Sequence, residues 1–259
     1  MGWRPGGRWS WAAALAVTVL GLANAAVWGG SLLFLRPARP ATANPAPPPV
    51  PTFEPSPQAA VSAGDALPVF ARSDGVALRL VSAEAFAVAF HEASYRDATG
   101  LRPMGRCSLC RNRLKFSPPE PRDAGLEYIV TDTRGRETPA TAAADLVLPR
   151  GADVFAPVTG TVTGLRRYRL YSRHPDVRVE ITPDQAPHRR VVMLHLAAVG
   201  VHRGQQVEAS VTRIGSVRGF PFESQVDRYI RGRYPHVHLE VKNPAKTAAL
   251  EERPKPKSA

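Results

Sequence analysis

The stretch Asp145-Leu146-Val147-Leu148-Pro149-Arg150-Gly151-Ala152-Asp153-Val154-Phe155-Ala156-Pro157-Val158-Thr159-Gly160-Thr161-Val162 decides the fold. Short apolar runs alternate with proline- and glycine-containing breaks, the pattern of brief strands joined by tight connections. It predicts strands at Val154–Ala156 and Gly160–Val162, with a hairpin turn at Pro157–Gly160. The pattern continues downstream, giving strands at Val177–Ile181, Val191–Leu196 and Val207–Ile214. In Val177-Arg178-Val179-Glu180-Ile181 apolar and polar residues alternate strictly, so one face is expected to be buried and the other wet. The fold class that follows is mainly β, an antiparallel sheet domain over residues 138–241.

Upstream of that domain the chain changes character more than once. Trp11 to Leu35 is apolar apart from small polar residues and follows Arg4 and Arg8. At about 1.5 Å per residue such a helix crosses a hydrocarbon core of about 30 Å. Ala23-Asn24-Ala25 offers a signal-peptide cleavage site, but the apolar run continues through Val27, Trp28 and Leu32–Leu35, which favours an uncleaved anchor. Residues 1–35 are therefore expected to be a single-pass membrane anchor, with a cleaved signal as the alternative. Residues 36–67 are rich in proline and alanine and read as an extended spacer. Residues 242–259 are charged, contain proline and read as a disordered tail.

Residues 68–137 read as a small α+β region. Val76, Leu78 and Leu80 alternate with polar or small residues, as in a strand. Ser82 is a candidate N-cap for a helix burying Phe86, Phe90 and Ala93, with His91 and Glu92 on its surface. Cys107 and Cys110, the chain's only cysteines, cannot complete a four-ligand zinc site and are expected to form a local disulfide across the Arg106–Arg111 loop.

The chain carries a formal charge of +12, with 34 Lys and Arg against 22 Asp and Glu. Outside a membrane such a surface meets anionic wall polymers or headgroups, and no motif points to nucleic acid. The run Arg166, Arg167, Arg169, Arg173, interleaved with Tyr168 and Tyr171, reads as a solvated loop between strands.

The histidines give the chemistry. In a strand at Pro235-His236-Val237-His238-Leu239-Glu240, His236 and His238 project to one face while Val237, Leu239 and Val241 are buried on the other. This block follows Leu194-His195-Leu196, Gly204-Gln205-Gln206-Val207 and Ile214-Gly215, and all follow the Asp145–Val162 stretch. In order and rough spacing these blocks resemble the lysostaphin-type (LytM-like) zinc endopeptidases, which cut bacterial cell-wall peptides. The resemblance implies that Asp145 and His238 are metal ligands and that His195 and His236 are the catalytic pair orienting water and stabilising the transition state. The family's first ligand is a histidine four residues before the aspartate, and Thr141 stands there in this chain. A catalytic zinc needs three protein ligands. His91, His174, His188 and His202 could supply one chemically, but no spacing argument brings any of them to that corner.

The expectation is thus a degenerate LytM-type domain without bound metal, displayed outside the bacterial cell membrane. It would bind peptidoglycan peptide or an envelope protein partner. The alternative is an active zinc metalloendopeptidase cleaving peptidoglycan cross-link peptides with an altered ligand set. A third reading makes it a polymer-binding module that works through its basic surface.

Overall fold

The computed structural model describes residues 65–118 and 126–246. The expected anchor, most of the proline-rich spacer and residues 247–259 of the expected tail lie outside the described residues, while Lys242, read as the tail's first residue, is buried at the end of the last strand. Among the described residues no helix is long and apolar enough to cross a membrane.

The described strands, in chain order, are β1 (Val69–Ser73), β2 (Val76–Arg79), β3 (Ala87–His91), β4 (Arg102–Pro103) and β5 (Arg106–Cys110). They continue with β6 (Glu127–Val130), β7 (Ala143–Val147), β8 (Asp153–Phe155), β9 (Gly160–Leu170) and β10 (His174–Pro183). The last are β11 (Arg190–Leu194), β12 (Leu196–Ala197), β13 (Gln206–Val207), β14 (Arg213–Val217) and β15 (His236–Lys242). Nine of them form one sheet in the order β13-β9-β10-β11-β15-β7-β3-β6-β5, and two three-stranded sheets, β2-β1-β4 and β12-β14-β8, flank it. The pairing is antiparallel except where β6 lies parallel to β3 and to β5.

The expected mainly antiparallel β domain is present, and the region before it departs from expectation. Residues 87–91 form a strand, not the helix read from Ser82. Phe86 and Phe90 suit a helical stripe, but Ala87-Val88-Ala89-Phe90-His91 is buried on every residue, as a central strand covered on both faces must be. Short apolar runs of this kind fit either period. Val88 and Phe90 join the main core with Tyr128, Leu146, Val179, Met193 and Leu239. Ala87 and Ala89 point to the opposite face, where Ile129, Val147, Val226, Tyr229 and Ile230 form a second cluster. This side of the sheet also carries His91, so the helix-surface position expected for His91 and Glu92 is wrong: both are buried.

Other expectations shift in detail. Pro157–Gly160 links strands of different sheets, because β8 pairs with β14 and β9 pairs with β10 and β13. The predicted strand Val207–Ile214 is two strands, β13 and β14, on separate sheets. The arginine run is solvated but not a loop: Arg166, Arg167 and Arg169 lie on β9, in a long hairpin with β10. That hairpin turns through Tyr171 and Ser172, both at positive φ (50° and 59°), the backbone twist that suits a tight antiparallel turn. Cys107 and Cys110 are disulfide-bonded, on the edge strand β5 instead of a loop.

Gly160 sits where β9 meets β10, and a Cβ there would lie 2.2 Å from the Thr182 carbonyl oxygen. Only glycine permits that approach, which fixes the start of the hairpin carrying one wall of the site.

Candidate metal and hydrolytic site

Three adjacent strands build the site. In the antiparallel pair β7–β15, His238 lies opposite Asp145. In β3–β7, Ala89 lies opposite Asp145 and His91 opposite Ala143, so His91 is the diagonal neighbour of Asp145 on the same face. The long imidazole spans the diagonal: His91 Nε2 lies 3.1 Å from Asp145 Oδ2. His238 Nδ1 lies 2.8 Å from Asp145 Oδ1. The ligand atoms of His91, Asp145 and His238 all fall within 4.8 Å of one another, and all three residues are buried. Thr141 is not among them: its hydroxyl donates to the Leu101 carbonyl at 2.6 Å.

The protonation states follow from the partners. A carbonyl accepts only, so the 3.0 Å contact between His91 Nδ1 and the Glu92 carbonyl puts the proton of a neutral ring on Nδ1. Burial lowers the His91 pKa and favours that neutral ring, although Asp145 opposes it. Nε2 then presents a lone pair, and it is buried with no hydrogen-bond partner. Burial alone would raise the Asp145 pKa, but the imidazoles of His236, His91 and His238 hold it well below the ordinary carboxylate value. The buried His91 Nε2 and the ionised carboxylate thus lie side by side at one corner of the site. Two imidazoles and one carboxylate are the donor set of a catalytic zinc site, and a cation would satisfy the orphaned Nε2. The residues fit the metal.

His238 is held from both ends, with Nε2 3.0 Å from Glu240 Oε1. Burial pulls its pKa down, but its hydrogen bonds to Asp145 and Glu240 push it up to about 9. Without a metal it bridges two carboxylates as an imidazolium. With Nδ1 deprotonated it could serve as a metal ligand while Nε2 donates to the Glu240 carboxylate, as metal-ligating histidines commonly do.

Glu92 locks the neighbourhood of His91. Its buried carboxylate accepts from Lys115 Nζ at 2.7 Å, the Thr133 hydroxyl at 2.9 Å, and the backbone N–H groups of Arg134 and Arg136 at 2.9 and 2.8 Å. Burial opposes its ionisation, but these donors bring its pKa down to about 2.

His195 follows β11 at a left-handed φ of 68°, a conformation a non-glycine residue keeps only when its surroundings enforce it. Its carbonyl accepts from the Arg218 N–H at 3.0 Å. Its Nδ1 lies 2.7 Å from Asp176 Oδ2, and that oxygen also accepts from the Tyr168 hydroxyl at 2.7 Å. Burial would raise the Asp176 pKa, but its hydrogen bond to His195 and its other donors lower it. The ionised Asp176 fixes the His195 proton on Nδ1 and leaves Nε2 as the basic atom. The His195 and His236 rings meet edge to face at 5.3 Å, and Phe220 packs on both at 5.0 and 4.9 Å. His236 Nε2 lies 3.7 Å from Asp145 Oδ2, and its Nδ1 is buried without a partner. Burial drives the His236 pKa down to about 3, so its ring is neutral.

All of these histidines line one groove of ≈ 470 Å³, together with Tyr95, Arg134, Tyr171, Phe220 and Phe222. Of the residues singled out by the sequence, the structure brings Asp145, His195, His236 and His238 to this one groove. The sequence reading missed His91, because it was placed on a helix, and Asp176, although the alternation Val177-Arg178-Val179 already sets Asp176 on the polar face of its strand.

No protein-family model matches this chain, and no curated protein does. Among solved structures it is similar to a zinc-containing peptidase from Vibrio cholerae (23% identity, 39% of this chain and 26% of that one, TM-score 0.28). It is also similar to lysostaphin in solution (17% identity, 45% of this chain and 49% of that one, TM-score 0.28). A further match is the SpoIIQ–SpoIIIAH pore-forming complex (22% identity, 42% of this chain and 70% of the matched chain, TM-score 0.26). The alignment spans about a quarter of the Vibrio peptidase and about half of lysostaphin.

Proposed function

We propose that this chain is a zinc-dependent peptide hydrolase of the bacterial envelope, anchored by its N-terminal segment and acting on peptidoglycan peptides. The observation that carries the reading is the cluster of His91, Asp145 and His238, with His91 Nε2 buried 3.1 Å from Asp145 Oδ2. The expectation of a metal-free binding domain rested on Thr141 standing where a histidine was needed. His91 supplies that imidazole from the neighbouring strand and favours the hydrolase. The peptidoglycan substrate and the envelope location rest on the sequence resemblance.

His91, Asp145 and His238 would hold the zinc, which when bound supplies Lewis-acid polarisation of a carbonyl and acidifies water. His195, fixed by Asp176, accepts a proton at Nε2 and returns it to the departing amine. His236 is neutral and can donate a hydrogen bond to the oxyanion that develops on the scissile carbonyl. Phe220 packs both rings and keeps water from loosening their orientation.

The test is digestion of purified peptidoglycan by the full-length protein with added zinc, with mass spectrometry of the released fragments. New amino termini within the cross-link peptides are expected, and none should appear with His195→Ala. Intact peptides from a zinc-loaded, folded protein would overturn the reading.

A further inference from the structure

The groove contains a cation that the hydrolytic chemistry does not use. Arg134 lines it beside His91, Asp145 and His238, and its Nε is buried without a hydrogen-bond partner. The neighbouring arginines are engaged: Arg136 Nη1 donates to the Glu92 carbonyl at 2.9 Å, and Arg178 Nε donates to Glu180 at 2.7 Å. Arg134 is also held in place from behind. Its own backbone N–H and that of Arg136 are bonded to the Glu92 carboxylate, and the carbonyl of Glu92 fixes the His91 ring. One residue thus anchors both the candidate metal ligand and the loop presenting the guanidinium.

A buried guanidinium nitrogen without a partner costs free energy. An acceptor brought by a ligand offsets that cost, and a carboxylate matches the planar guanidinium edge best. Among the groove's carboxylates, Asp145 Oδ1 and Glu240 Oε1 are already committed to His238.

We infer that Arg134 forms a carboxylate-binding subsite, so that the groove selects peptides carrying an acidic side chain or free carboxylate next to the segment lying over the metal ligands. This rests on the groove being a peptide site, but not on the presence of zinc or on catalysis.

The test is fluorescence anisotropy with the full-length protein in mild detergent and a metal chelator, so that binding is read without hydrolysis. The probes are a fluorescein-labelled tetrapeptide containing one glutamate and its glutamine isostere. The wild type is expected to bind the glutamate peptide about tenfold more tightly, a charge-assisted contact's worth of discrimination. In Arg134→Gln the ratio should fall to about one, and Arg134→Lys, which keeps the charge but loses the planar edge, should lie between. Circular dichroism of both variants verifies folding. Equal affinities for the two peptides, a ratio that survives Arg134→Gln, or no binding of either up to about 1 mM would each overturn the subsite. A failure of peptidoglycan digestion alongside a glutamate preference would instead fault the hydrolase and leave the subsite standing.

Discussion

His91 Nε2 and Asp145 Oδ2 lie 3.1 Å apart across neighbouring strands, and the other ring nitrogen of His91 lies 3.0 Å from the Glu92 carbonyl. A neutral ring with its proton on Nδ1, given to the Glu92 carbonyl, leaves Nε2 able to bind a cation beside the ionised carboxylate. A cation entering that corner would take one donor atom from each group. The corner is built at the sheet's centre, where side chains have little freedom to move apart.

The pairing of His195 with Asp176 makes a prediction about rate. Asp176→Asn presents an amide donor to His195 Nδ1 and stabilises the wrong tautomer. Turnover of a cross-link peptide should fall by about 10²–10⁴-fold with zinc content unchanged. A rate within about twofold of wild type would show that Asp176 does not position the histidine.

Glu92 should make the fold acid-sensitive. Its carboxyl, at about 2 in the folded chain against 4.5 ordinarily, binds a proton less readily folded than unfolded. Its contribution is fully present above about pH 4.5 and is lost as pH falls towards 2. The shift corresponds to about 3 kcal/mol. Denaturant unfolding of Glu92→Gln should show a deficit of about that size at pH 7, closing in the acid range. A deficit that does not change with pH would assign the loss to packing instead.

Gly160→Ala tests the hairpin. The added methyl would stand 2.2 Å from the Thr182 carbonyl, against backbone that cannot rotate away. A loss of about 3 kcal/mol is expected, the upper end of overpacking costs. An unchanged melting temperature would mean that β9 and β10 separate more easily than their register implies.

The sequence revealed the β domain from Asp145 onward because its strands are short, alternate in polarity and are bounded by proline and glycine. His236 and His238 were placed on one face by the period of two alone, and β15 obeys it. The upstream strand was not legible for a physical reason. Ala87–His91 is covered on both faces, so it lacks the alternation that marks a strand, and its phenylalanines also satisfy a helical stripe. The error in the element became an error in the site, since a helix would have carried His91 away from Asp145. No local motif encodes the approach of His91 to Asp145 from an adjacent strand. It depends on the β3–β7 register, which joins residues far apart in sequence.

The most direct measurement is elemental analysis of the full-length protein after equilibration with a slight excess of zinc, in the wild type and in His91→Ala. Near-stoichiometric zinc is expected in the wild type. In His91→Ala affinity should fall by well over the 10–100-fold that losing a supporting contact costs, while the protein remains folded. Absence of zinc from the wild type, or undiminished zinc in His91→Ala, would contradict the assignment of His91 as the third ligand.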